Sequence, residues 1–283
     1  MNSSRISEIA RLAEALVGGA RLELHLTPKP GLVDRLDRGS HPDLSFSLME
    51  ESLGMVSLYL RELIRSLSEG EPFSAQIGIA RRTEGRMREV LGTNTHKGYL
   101  FLSGFLLIAR WRARSSEAPA IRGEIRRLAH SFFAAKGISE TNGQRARERF
   151  RVGGIVREAL EGFPSLFEEA LPAYAAAIER HRGPGIARFC VLARLMQTVE
   201  DTTALHRCGE AGLLRIRRDG RTLERLIDDG GDFTPYLRRL NCEYVALNLT
   251  MGGVADLLGL ALGSIKFLPL SARAGGSGSA EES

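Results

Sequence analysis

Apolar residues recur at helical spacing along nearly the whole chain, and alternating β-branched runs are almost absent. Little is left from which to build a sheet, so the chain is expected to be all-α, with many short loops. The run Phe46 to Leu67 is a clear case. Leu48, Leu53, Val56, Leu60, Leu63 and Leu67 fall on roughly one helical face. Similar patterns predict helices at Ile6–Leu16 (with Ser3 or Ser4 as N-cap), Ala75–Leu91, Gly98–Arg114, Ile121–Ala135 and Gln144–Leu160. Others are expected at Ser165–Arg180, Gly185–Val199, Thr222–Asp228 and Phe233–Phe267. At 283 residues the chain can bury a substantial core. Its local Pro/Gly punctuation contains no interdomain linker. Residues 1–273 are therefore expected to form one helical catalytic domain around a central cleft. Residues 274–283, Gly/Ser-rich and then acidic, read as a disordered tail.

Charge excludes some functions. The net charge is +5, but acidic residues are interspersed and no basic stripe forms, so a nucleic-acid partner is not expected. The densest stretch, Arg215 to Arg221, reads as a solvated helix face. Lysine supplies four of the 39 basic residues, at 29, 97, 136 and 266. Such sparing use suggests positions that need a compact point charge. Cys190, Cys208 and Cys242 are far apart and odd in number, against a zinc site or a disulfide framework and for a reducing compartment. No signal-peptide core is visible, and the most apolar run, Gly98 to Ala109, is too short to span a bilayer. The expected location is the cytoplasm, without a membrane partner. Walker A, G-x-G-x-x-G, H-E-x-x-H and G-x-S-x-G motifs are all missing.

Five stretches carry chemistry. In Thr27-Pro28-Lys29-Pro30-Gly31 two prolines hold the chain extended and Gly31 permits a tight turn. That loop, with Asp34, Arg35, His41 and Asp43, is expected to hold phosphate and metal. Thr93-Asn94-Thr95-His96-Lys97-Gly98 opens a helix, with Thr or Asn as cap, and its free N–H groups beside Lys97 suit a phosphate. The third stretch runs from Gly153-Gly154 through Arg157 and Glu158 to Gly162-Phe163-Pro164. The fourth is Glu200-Asp201-Thr202-Thr203 with Arg207 and Gly209. The fifth, Gly252-Gly253-Val254-Ala255-Asp256, puts a carboxylate in an apolar helix beside two glycines.

Together these stretches resemble the triphosphoribosyl-dephospho-CoA synthase family, which serves citrate lyase and malonate decarboxylase. T-P-K-P-G-L-V-D-R with G-x-H-x-D matches at Thr27–Arg35, Gly39, His41 and Asp43. N-T-H-K-G matches at Asn94–Gly98, and E-A-x-x-G-F-P at Glu158–Pro164. D-T-x-x-x-x-R-x-G matches at Asp201, Thr202, Arg207 and Gly209, and G-G-x-A-D-L-L at Gly252–Leu258. The chain departs from the family at several points. Arg157 stands one position later than the arginine of the usual G-A-R-G-E-A. Thr203 replaces an Asn, Cys208 a Gly, and Thr250-Met251 a Ser-Pro.

The resemblance implies transfer of the triphosphoribosyl group of ATP to the 2′-hydroxyl of dephospho-CoA, with adenine expelled. It implies Mg²⁺ bound with ATP, and a product passed to a carrier-protein transferase. Asp34, Glu158, Asp201 and Asp256 are expected to be catalytic. Lys29, Asn94, His96, Lys97, Arg207, Gly252 and Gly253 are expected to bind nucleotide or phosphate. Asp34, Asp43, Asp201 and Asp256 are expected to hold metal. Two other readings stay open: a metal-dependent hydrolase of ribosyl nucleotides, and a non-catalytic helical nucleotide-binding protein.

Overall fold

The computed structural model describes residues 2–135 and 153–269, and among them every regular element is a helix. The chain runs through α1 (Asn2–His25), α2 (Phe46–Ser68), α3 (Phe73–Leu91), α4 (Lys97–Ala113) and α5 (Ala118–Ala135). After residue 153 follow α6 (Gly154–Leu160), a π-helical turn (Ser165–Ala170) that continues into α7 (Leu171–Glu179), and α8 (Pro184–Thr198). The last three are α9 (Thr202–Asp228), α10 (Thr234–Ala246) and α11 (Gly252–Ser264). The tail 274–283 and most of the helix expected from Gln144 lie outside the described residues.

Two helices are apolar all round and form the centre, as their composition requires. In α4 nearly every side chain from Tyr99 to Arg110 is buried, and in α11 every one from Leu257 to Ser264. The amphipathic α2 turns Leu53, Val56, Leu60 and Leu63 onto this core. Each such side chain contributes about 1.5–3 kcal/mol on burial. The Ser45 hydroxyl caps α2 by accepting from the Leu48 N–H at 3.2 Å. Packing between α1 and α11 is backbone on backbone. A Cβ built on Gly19 would lie 2.3 Å from the Gly259 carbonyl and the Gly263 nitrogen. One built on Gly263 would lie 2.8 Å from the Ala15 carbonyl and the Leu16 Cα.

Several expected boundaries are corrected. Ser3 and Ser4 lie inside α1 rather than capping it. The helix expected only at Thr222–Asp228 begins twenty residues earlier at Thr202, with a break at Gly209, where φ is 64°. The single run expected from Phe233 to Phe267 is two helices, separated at Leu247–Met251. Asn248 there adopts a left-handed φ of 54°. That interruption creates a second helix start, at Gly252, in the middle of the protein. Among the described residues no helix is long and apolar enough to cross a membrane.

Candidate functional site

A cavity of about 720 Å³ opens between α4, α6, α9 and α11. Four of the five sequence motifs reach it: Lys97 and Gly98 from the start of α4, Gly154 and Glu158 from α6, Thr202 and Thr203 from the start of α9, and Gly253 and Asp256 from α11. Three long helices thus begin at its wall. They direct positive dipole ends toward whatever occupies it. One side is apolar, with Phe101, Phe132 and Phe133 in mutual ring contact.

Asp201 holds two of these helix starts together. Its Oδ1 accepts from the N–H groups of Thr203 and Ala204 at 2.8 and 2.9 Å, and its Oδ2 from the Val254 N–H at 3.0 Å. A Cβ on Gly253 would crowd that oxygen at 3.1 Å, and one on Gly252 would sit 3.2 Å from the Thr203 hydroxyl. The double glycine therefore lets α11 start against the first turn of α9. Asp201 is 1% exposed. Burial pushes its carboxyl up, against the opposing pull of the backbone amides.

Asp256 occupies a notch made by Gly98, where any Cβ would lie 1.9 Å from its Oδ2. It opens on the cavity and is enclosed on its other sides. Its carboxyl is held well above the ordinary range, first by burial and then by the Glu23 and Asp201 carboxyls. Glu158 has opposite neighbours. The Ser165 hydroxyl donates to its Oε1 and the Ser165 N–H to its Oε2 at 3.3 Å. Its carboxyl is also raised, chiefly by burial. The π-helical turn and Phe163, fully buried with φ 57°, set Ser165 against it.

The first motif does not line the cavity, and here expectation is corrected. Lys29 is 1% exposed and its ammonium is paired with the buried Glu23 of α1. Two prolines do hold the loop extended, but they point the lysine inward. Asp34 closes the same loop: its Oδ2 accepts from the Lys29 N–H at 2.8 Å and its Oδ1 from the Leu36 N–H at 2.7 Å. Gly31 and Gly39 bring the loop onto the α10–α11 turn. A Cβ on Gly31 would meet the Leu249 carbonyl at 2.4 Å. The Ser40 hydroxyl donates to the Tyr244 and Leu249 carbonyls at 3.1 and 2.7 Å. Arg207 does not reach the cavity either. It donates to the Ser40 carbonyl at 2.5 Å and to Asn248 Oδ1 at 3.0 Å, tying loop to turn.

The expected metal quartet is likewise not assembled. Asp34 and Asp201 have both oxygens bonded to backbone amides, Asp43 is exposed, and of the four only Asp256 lines the cavity. Among the described residues no three His, Cys, Asp or Glu side chains form a ligand cluster. His96, rather than a Thr or Asn, is the N-cap residue of α4, and no side chain caps it. Asn94 stands outside the cavity wall, with its Oδ1 buried and unpartnered.

His96 is buried behind the wall, with Nδ1 at 2.6 Å from the Ser52 hydroxyl. Burial and the Lys29 charge push its imidazole down to about 4, from an ordinary 6.5. His41, at 2.7 Å from the Thr250 hydroxyl, is also pushed down to about 4, by burial and Arg207. A depressed histidine stabilises the fold fully above its unfolded value and loses that contribution as pH falls from 6.5 through 4. The raised carboxyls act in the opposite sense, so the variant must be compared with the parent. In denaturant titrations from pH 7.5 to 4.5, His96→Gln is expected to lose less stability on acidification than the parent. Parallel losses would mean that His96 charges freely in the fold.

Reasoning from sequence missed Glu23, Glu84, Arg217 and the phenylalanine wall, and it placed Glu200 in a motif without giving it a role. Glu200 accepts from the Gly153 N–H at 2.8 Å and pairs with Arg157 at 3.2 Å. Its place directly before Asp201 was the available signal. Arg217 lay inside a run taken for a solvated face.

Residues 9–271 match the family described as ATP:dephospho-CoA triphosphoribosyl transferase. The chain is 32% identical over 262 residues to the "Probable 2-(5''-triphosphoribosyl)-3'-dephosphocoenzyme-A synthase" of Pseudomonas aeruginosa strain UCBPP-PA14. That alignment covers 89% of this chain and 88% of that protein. Proteins of the same name from Pseudomonas paraeruginosa strain PA7 and Pseudomonas aeruginosa strain PAO1 match with the same identity and coverage. No solved structure matches.

Proposed function

The chain belongs to the ATP:dephospho-CoA triphosphoribosyl transferase family, and on that premise we propose that the cavity between α4, α6, α9 and α11 is where its reaction takes place. The protein is a pentosyltransferase. It joins the triphosphoribosyl group of ATP to the 2′-hydroxyl of 3′-dephospho-CoA and releases adenine, making the precursor of a prosthetic group. A ribosyl hydrolase or a non-catalytic binding protein is not favoured by this membership.

One observation supports the placement: the cavity holds two raised carboxyls, Asp256 close to the Glu23 and Asp201 carboxyls and Glu158 bonded to Ser165. Breaking the bond between the ribose C1′ and adenine leaves an oxocarbenium-like carbon. It also needs a proton for the departing base and an acceptor for the 2′-hydroxyl proton. Asp256, crowded by carboxyls, is suited to stay protonated and donate to adenine. Glu158, whose carboxyl is raised by burial and oriented by Ser165, is suited as the base that accepts the hydroxyl proton. The new bond joins C1′ to the 2′ oxygen. The reaction leaves Asp256 deprotonated and Glu158 protonated, and exchange with solvent restores both.

Lys97 and the start of α4 would face the phosphates. The residues present fit a cation that arrives with the triphosphate, because Mg²⁺ commonly takes only one or two protein carboxylates beside phosphate oxygens. Glu84 would hold it, since its one ion pair among the described residues is the loose 3.8 Å contact to Lys97. Mg²⁺ would supply charge neutralisation there. We place the enzyme in the cytoplasm, where its three cysteines stay reduced. Its product passes to a carrier-protein transferase serving malonate decarboxylase or citrate lyase.

The test is adenine release measured with and without dephospho-CoA. The parent is expected to require the acceptor. Glu158→Gln is expected to bind both substrates and turn over about 10²–10⁴-fold more slowly. Parent-like turnover in that variant would move the reaction out of this cavity, and release without acceptor would mark a hydrolase.

A further inference from the structure

Most of the arginines around the cavity are already held. Arg157 pairs with Glu161 and Glu200, Arg122 with Glu168, and Arg194 with Glu169. On α9 itself, Arg215 pairs with Asp219 and Glu243, and Arg218 with Asp219. Arg217 differs from all of these. It lines the cavity and makes no ion pair among the described residues, and its Nε, like that of the paired Arg122, is buried without an acceptor. A buried charged donor left unmatched costs about 1–3 kcal/mol or more, and native proteins rarely keep one without a use.

We propose that Arg217 is the phosphate anchor of the cavity, its guanidinium binding a polyphosphate chain of the substrates. This rests on the reading of the cavity as the reaction site. Guanidinium presents a planar fork of donors that matches two phosphate oxygens at once, which an ammonium does not. The surroundings require such an anchor. Glu84, Glu158, Glu200 and Asp256 face the same space, so a polyanion entering it meets carboxylates on several sides. Among the described lining cations Arg157 is committed to two carboxylates and Lys97 is loosely engaged, which leaves Arg217 free to pair with the ligand.

Both substrates carry linked phosphates: a triphosphate on ATP and a diphosphate on dephospho-CoA. Titration of Arg217→Met with each one alone separates the two sources. A fall of about 10- to 100-fold in affinity is expected for the substrate whose phosphates it holds. Loss confined to ATP assigns the triphosphate, and loss confined to dephospho-CoA the diphosphate. Inorganic tripolyphosphate should compete with the assigned substrate in the parent and not in the variant. Arg217→Lys, which keeps the charge without the fork, should recover only part of the affinity. It is the variant to read if Arg217→Met melts below the parent. Parent-like affinity for both substrates, in folded Arg217→Met or in Arg217→Lys, would overturn the proposal. Glu158→Gln is assayed alongside. If it has lost turnover while the Arg217 variants bind normally, only the anchor fails; if it turns over like the parent, the cavity reading fails.

Discussion

Asp256→Asn is expected to cost about 10²–10⁴-fold in turnover and to leave the protein at least as stable as the parent. The first part follows from the missing proton: an amide cannot protonate the departing adenine. The second follows from the sign of the linkage. Asp256 has a folded value raised well above the ordinary carboxylate range, by burial and by Glu23 and Asp201. The folded state therefore binds that proton more tightly than the unfolded one. Its contribution is fully present below the unfolded value and is lost as pH rises through the folded one. An uncharged isostere avoids that loss, so the melting temperature of Asp256→Asn should exceed the parent's on the alkaline side. Gain of stability with loss of activity is the trade expected of a site residue. Gly98→Ala should reach the same chemistry indirectly, by pushing the carboxylate out of its notch. Thermal melts at pH 6 and pH 8, with adenine release as the second readout, check both halves. Parent-like turnover would remove Asp256 from the mechanism. A lower melting temperature at pH 8 would show that it is ionised and structurally useful.

Lys29→Met is expected to act on the fold instead. Removing one partner of a buried ion pair strands the other charge, at a cost of about 3–5 kcal/mol. For a chain of this size that is on the order of 10 °C in melting temperature. Glu23→Gln combined with Lys29→Met should recover much of the loss, since replacing both partners by neutral groups is often close to neutral. ATP affinity of the single variant, measured below its melting point, should stay near the parent's. A variant that melts normally and binds ATP weakly would return Lys29 to the phosphate role that its loop suggests.

That lysine marks where sequence reasoning stops. Pro28, Pro30 and Gly31 correctly predict an extended loop and a tight turn, because those properties are local. Whether Lys29 faces water or the core depends on Glu23, on a different element, and no spacing rule links the two. The all-α class and the frame of α2 were legible because one apolar face repeats over six turns. The stretch of α9 before Thr222 was not, since Gly209, Gly212 and Gly220 and a dense set of arginines dilute its pattern. Gly212 and Gly220 turn out to be close-packing positions, against Cys208 and Ala193. The break between α10 and α11 was hidden because Leu247, Leu249 and Met251 continue the apolar run while Asn248 turns the chain. The four later motifs meet at one cavity. Asp201 was assigned to catalysis, yet its oxygens hold two helix starts together, an arrangement that exists only after folding. Arg217 was lost among its neighbours because only the cavity distinguishes it from them.

The contact of Gly19 with Gly259 and Gly263 has a consequence for how such a protein can change over generations. Elsewhere in a core, an added methyl group can be answered by trimming a neighbouring side chain. At Gly19 and Gly263 the atoms facing an added methyl group are backbone, and backbone offers nothing to trim. Those two positions therefore have no simple second-site rescue, and each is closed to mutational drift on its own account. Gly263 lies on the same helix as Asp256, about two turns further on. The lineage's freedom is thus narrow on the far half of the helix that carries Asp256, at a residue packed against α1 and absent from the cavity wall.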